Sequence, residues 1–112
     1  MRVHPWLAGF LYACAATACR KAPDANAPSY GQARAIVDRH CVSCHSAHPV
    51  IPAFPIAPGG VELDTLGQLQ QYAVRVRVRT LDQTMPLLNK TQMTQAERRI
   101  VAGWVEAGAE GP

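Results

Sequence analysis

Five consecutive residues, Cys41-Val42-Ser43-Cys44-His45, carry most of the chemistry this sequence can do. Two thiols three positions apart lie about one helical turn from each other, so both can reach the same edge of a flat macrocycle. An imidazole on the next residue can then project over the ring toward a central metal. Cys-x-x-Cys-His is the attachment signature of haem c. In that arrangement the two sulfurs bond the porphyrin's vinyl groups and the His becomes an axial ligand of the iron. Two other chemistries use parts of the pattern. A thioredoxin-like dithiol wants a βαβ setting, which the surrounding sequence does not offer. Half of a zinc site wants two further ligands at related spacing, and only the scattered His40 and His48 are at hand. The reading is one covalent haem c on Cys41 and Cys44, with His45 on the iron.

A sixth ligand has to come from elsewhere in the chain. Met85, in Thr84-Met85-Pro86, offers a soft thioether suited to low-spin haem iron, and a Met/His pair raises the reduction potential. Pro86 would stiffen the loop that holds the sulfur. Met93 is the rival. It stands just before Thr94, however, where an apolar residue usually staples onto the helix that follows. A Met can also be plain core filler, and a site with no Met ligand is the remaining alternative.

These residues must be held by short helices. Ser29, with Gln32 three residues later, is a capping box that opens a first helix over about Tyr30 to His40, and this helix runs into the Cys-x-x-Cys-His. Pro49, Pro52, Pro55 and Pro58 make the following stretch an extended loop. Thr65 with Gln68 caps a second helix, with Leu66, Leu69, Ala73 and Val76 on one face. Within it, Val74-Arg75-Val76-Arg77-Val78-Arg79 alternates as a strand would. Helix is favoured because no partner strand is visible elsewhere. Thr94 with Glu97 caps a last helix that carries Ile100, Val101, Trp104 and Val105 and ends near Gly108. The expected fold class is all-α, with three main helices and irregular loops. So short a domain has a thin protein-only core, and a buried porphyrin would add apolar volume.

The start of the chain reads as an address. Arg2 precedes an apolar run from Trp6 to Ala18, and Ala16-Thr17-Ala18 offers small residues before a cut. The run is shorter than the roughly 20 residues a membrane span needs. Ala16 to Cys19 resembles the lipobox of bacterial lipoproteins, in which the cysteine becomes lipidated. Residues 1–18 are thus expected to be a signal peptide of lipoprotein type, 19–29 a flexible tether and 30–112 the domain. An ordinary cleaved signal and a retained anchor are the alternatives, and all three place the domain in the periplasm. Cys14 falls in this leader and Cys19 directly follows it, which speaks against a four-cysteine disulfide framework.

Taken together, the helix into Cys41-Val42-Ser43-Cys44-His45, the proline-bearing loop, Met85-Pro86 and the last helix with Trp104 resemble class I cytochromes c across nearly the whole mature length. The resemblance implies a small cytochrome c fold around one haem, ligated by His45 and Met85. It also implies a close crossing of the first and last helices, here through Gly31 and Ala35 against Gly103 and Trp104. A backbone carbonyl between Pro49 and Pro58 would orient His45. A narrower likeness covers Gly60 to Ala109. Gly60-Val61-Glu62-Leu63, Thr84 to Thr91, Met93-Thr94 and Glu97-Arg98 are similar to the cytochrome c domain of membrane-bound bacterial urate hydroxylases, with Leu88 where that group carries Gly. This implies shared ancestry and an oxidoreductase partner rather than urate chemistry.

The expected function is single-electron transfer between redox protein partners, without enzymatic activity. Membrane association would run through lipidated Cys19. A dedicated cytochrome subunit of an oxidoreductase is one alternative. A haem-based sensor or peroxidase-like protein with an open sixth site is another. Nucleic acid is not an expected partner, because a net charge of +3 comes without clustered Lys/Arg interleaved with aromatics. Arg75 and Arg79 share a helix face that could meet propionates or a partner, a solvated face being the plainer reading. Asn89 and Thr91 are read as propionate donors or turn formers. His40 and His48 are expected at the surface, and Trp104 as core packing against haem and the first helix.

Overall fold

Ser29, Thr65 and Thr94 each start a helix by the same reciprocal device. The side-chain oxygen accepts from the backbone N–H three residues on, while that residue's own side chain accepts from the cap's N–H. The computed structural model describes residues 24–112, so the expected signal peptide, Cys14, Cys19 and the first part of the expected tether lie outside the described residues. Helix α1 spans Tyr30–His40, α2 Leu66–Gln71, α3 Ala73–Leu81 and α4 Gln95–Glu106. Short 3-10 turns occupy Pro58–Gly60 and Leu87–Asn89. Among the described residues the chain is all-α, with no strand and no helix long and apolar enough to cross a membrane.

The second expected helix is divided. Tyr72, at φ −103° and ψ 10°, leaves helical geometry and separates α2 from α3, giving four α-helices rather than three. The Val-Arg alternation is helical. Ala73 and Thr80 are buried one above the other on α3 and Val76 is half-buried between them, a spacing of three and four residues. Val74 and Val78 are left exposed.

Helix α4 packs against both α1 and α3. On α1 the inward face is Ala33, Ile36, Val37 and His40, and on α4 it is Arg98, Val101, Ala102 and Trp104. One buried cluster joins Ala33 and Val37 to Leu63, Leu69, Ala73, Trp104 and Ala109. A second joins Ile36, Met93 and Val101. The crossing of α1 and α4 therefore uses Ala33 and Val37 with Trp104. Gly31 and Ala35 face solvent instead. Gly103 serves a different neighbour, since a Cβ there would lie 3.1 Å from the Pro28 ring that crosses it.

Candidate functional site

Helix α1 delivers its last residue straight into the cysteine motif. Cys41 N–H and Val42 N–H both donate to the Val37 carbonyl, and His45 N–H donates to the Cys41 carbonyl at 2.8 Å. The motif is thus one tight turn stacked on the end of α1. Burial pushes the Cys41 thiol up to about 11, with the nearby Arg34 guanidinium opposing and Asp38 and Cys44 reinforcing the rise. At neutral pH that sulfur is a thiol rather than a thiolate.

His45 is fixed by a chain segment that returns from the proline loop. Its Nδ1 lies 3.0 Å from the Val61 carbonyl, and its own carbonyl accepts from Leu63 N–H at 2.9 Å. Donation from Nδ1–H to Val61 leaves Nε2 with a free lone pair, the state a metal-bound imidazole requires. The orienting carbonyl is therefore that of Val61, not one between Pro49 and Pro58. The reason lies in the path of the chain. The loop bulges outward, with Val50 75% and Ile56 76% exposed. The two glycines at positive φ, Gly59 (64°) and Gly60 (69°), then turn the chain back against the motif.

A cavity of about 320 Å³ gathers Cys41, His45 and Met85 with Pro58, Gly59, Val61, Leu63, Tyr72, Arg75, Val76, Arg79, Thr80 and Thr84. The break between α2 and α3 falls at Tyr72, whose ring is part of this wall. Arg75 lies over that ring, 5.7 Å from its centroid. Arg75 and Arg79 are exposed, as a solvated face would be, and both border the cavity. Cys44 shares the turn with Cys41 but is not part of the lining.

Met85 and Met93 have different surroundings. Met85 lines the cavity and is 37% exposed. Met93 is 5% exposed, packs with Ile36 and Val101 and does not line the cavity. The described residues hold no group of three or more His, Cys, Asp and Glu side chains arranged around a metal-sized space. The donors that meet in the cavity are a thiol, an imidazole with a free nitrogen and a thioether, inside a largely apolar wall. This set fits a haem held by thioether bonds far better than it fits a hard cation.

Several expectations change here. His40 is buried, not exposed. Its Nδ1 is 2.8 Å from Thr91 Oγ1, and its Nε2 is 3.1 Å from Glu97 Oε2, off the line of a good hydrogen bond. It ends the buried stripe of α1, seven residues beyond Ala33, so helix geometry carries it inward. Trp104 is buried against Tyr30, with ring centroids 5.9 Å apart, and its Nε1–H donates to the Glu110 carbonyl; it does not line the cavity. Asn89 and Thr91 are loop-formers. The Asn89 side chain bridges to both the N–H and the carbonyl of Met93, and Thr91 meets His40. His48 is exposed, as expected.

One residue that the sequence did not single out is Arg98, 2% exposed on α4. Its guanidinium donates to the carbonyls of Thr80 and Met85 and to Asn89 Oδ1. Its signal was available. Arg98 sits at i−3 and i−4 from Val101 and Ala102, on the apolar stripe of α4.

No protein-family model, no curated protein and no solved structure matches this chain. The likeness to class I cytochromes c thus rests on the motif residues themselves.

Proposed function

We propose that this chain is a monohaem c-type cytochrome that passes single electrons between redox proteins of the periplasm and is tethered there through a lipidated Cys19. The observation that carries the reading is the meeting of Cys41 and His45 with Met85, which is distant from them in sequence, around one apolar cavity. Cys41 and Cys44 would hold the haem by thioether bonds, and His45 and Met85 would be its axial ligands. Bound there, the haem supplies an iron that gains and loses one electron.

The residues of the chain do the rest. The Val61 carbonyl keeps the imidazole in one tautomer and one orientation, raising its basicity as a donor. Val61, Leu63 and Val76 line the cavity and would keep water from a haem bound there, which would favour its less charged reduced state. Arg75 and Arg79 place positive charge at the cavity and can neutralise carboxylates there. Were His45 and Met85 to stay bound in both oxidation states, little would have to move, which would suit a carrier rather than an enzyme.

The test is an optical spectrum of protein matured with haem-attachment machinery, oxidised and reduced, with and without carbon monoxide. Covalent low-spin haem, a sulfur-to-iron charge-transfer band when oxidised and indifference to carbon monoxide are expected. Ready carbon monoxide binding would favour an open sixth site and a sensor role. Absence of covalent haem would overturn the proposal.

A further inference from the structure

We infer that Arg98 is a positioning residue for Met85, holding the thioether at its place in the cavity through the backbone; the inference rests on the reading of Met85 as the sixth ligand. Arg98 is 2% exposed, and no carboxylate pairs with it among the described residues. Its neighbours are neutral oxygens. Nη1 donates to Thr80 O and to Met85 O, each at 2.8 Å, and Nη2 to Asn89 Oδ1 at 3.2 Å. One planar cation on α4 therefore ties the end of α3, the ligand residue and the loop beyond it. Removing a cation from water is costly, and a buried one without a counter-charge is weak support for stability alone.

The segment it holds has little else to fix it. From Leu81 to Gln92 every residue except Pro86 is exposed, and Gln83, Leu88, Asn89 and Gln92 have positive φ. Burial, the usual means of fixing a loop, is missing here. Polar ties replace it, with Met85 N–H donating to Arg79 O at 3.1 Å and Met85 O accepting from Arg98. Asn89 extends the tie, since the oxygen that meets Arg98 also accepts from Met93 N–H at 2.9 Å. Lysine could keep the charge but not the fork, because its donors radiate from one nitrogen and cannot span three oxygens on separate segments in the same geometry.

The experiment compares wild-type holoprotein with Arg98→Lys, Asn89→Ala and Val101→Ala. The last variant loosens the packing of α4 on Met93 and Ile36 one turn away but removes none of the hydrogen bonds to the Met85 segment. Covalent haem content and far-ultraviolet circular dichroism report assembly. The concentration of added imidazole that half-abolishes the sulfur-to-iron charge-transfer band reports how firmly the sulfur is held. For Arg98→Lys that concentration should fall at least tenfold, with haem content and helicity retained. Asn89→Ala should shift it the same way by a smaller factor, and Val101→Ala should leave it within twofold of wild type.

An unchanged midpoint in Arg98→Lys overturns the inference, as does an equal shift in Val101→Ala, which would make the effect one of general stability. If Arg98→Lys yields no holoprotein, Asn89→Ala decides, and an unchanged midpoint there overturns the inference. A wild-type protein with covalent haem but no charge-transfer band would refute Met85 ligation itself and this inference with it. A band present in wild type and indifferent to Arg98 would refute the inference alone.

Discussion

On the His45 side of the cavity the chain is held by hydrogen bonds to a returning segment whose Leu63 is buried, whereas on the Met85 side an exposed loop is held by one buried guanidinium. The motif turn closes on α1 through Val37 and Cys41 carbonyls, and the returning segment pairs with it through Val61 and Leu63. Leu63 is itself 3% exposed and belongs to the main core cluster. The Leu63 carbonyl is tied once more, to Arg34 of α1 at 2.8 Å. The Met85 segment has exposed side chains, left-handed residues and a buried guanidinium for an anchor. One wall is fixed by burial and backbone pairing, the other by polar ties to an exposed loop. A ligand held in the second way is the one that should exchange first.

The largest expected effect separates the two walls directly. His45→Ala should cut the yield of holoprotein at least tenfold. Met85→Ala should keep the covalent haem, lose the charge-transfer band, bind carbon monoxide when reduced and lower the reduction potential by about 0.1 V or more, within the roughly 0.8 V that axial ligands span. Haem content by absorbance and a redox titration check both. Equal losses of haem in the two variants would break the comparison.

Core and loop should also differ in stability. Leu69→Ala removes a fully buried side chain of the main cluster and should cost about 2–5 kcal/mol in denaturant unfolding. Leu87→Ala, 51% exposed beside Met85, should stay within about 0.5 kcal/mol. A cost above about 2 kcal/mol at Leu87 would show that the loop is held by packing after all.

The start of α4 lies between the two regimes. Thr94→Ala removes the cap and should cost about 1 kcal/mol. Glu97 adds a pH dependence. The Thr94 backbone N–H, and after it the His40 side chain, hold its carboxyl below the ordinary 4.5. A carboxyl lowered by folding contributes stability above its unfolded pKa and loses it as pH falls through the lowered value. Stability should therefore decline below about pH 4.5, and Glu97→Gln should flatten that decline in acid unfolding curves.

The smallest effect concerns Leu88, 80% exposed at φ 54°. Leu88→Gly should be neutral or stabilising by up to about 1 kcal/mol, since the left-handed region costs a residue with a Cβ but not glycine. A loss of stability there would mean that the side chain makes contacts in solution beyond those seen.

Much of this arrangement was legible beforehand. The bounds of α1, the three capping boxes and the burial of Met93 before Thr94 follow from local patterns, because a cap bonds to residues only three positions away. The turn of the cysteine motif is likewise local. His40 was misplaced because adjacency to the motif suggested exposure, while its register with Ala33 and Val37 put it on the inward face. Tyr72 was missed because nothing in Gln71-Tyr72-Ala73 breaks a helix by propensity; the kink is a tertiary choice that brings the ring to the cavity wall. The Val61 carbonyl was out of reach of inspection for a similar reason. A backbone oxygen has no residue signature, and only the turn at Gly59 and Gly60 selects it.

By itself, then, the sequence determined the all-α class, the helix starts and the reading of a covalent haem site at Cys41, Cys44 and His45, since each depends on spacing within about one helical turn. The sequence also favoured Met85 over Met93, but that Met85 lines the same cavity as Cys41 and His45, that the Val61 carbonyl meets His45, and that Arg98 bonds the Met85 carbonyl were decided by tertiary structure. Those relations join residues far apart in the chain, and their partners are chosen by how the helices pack.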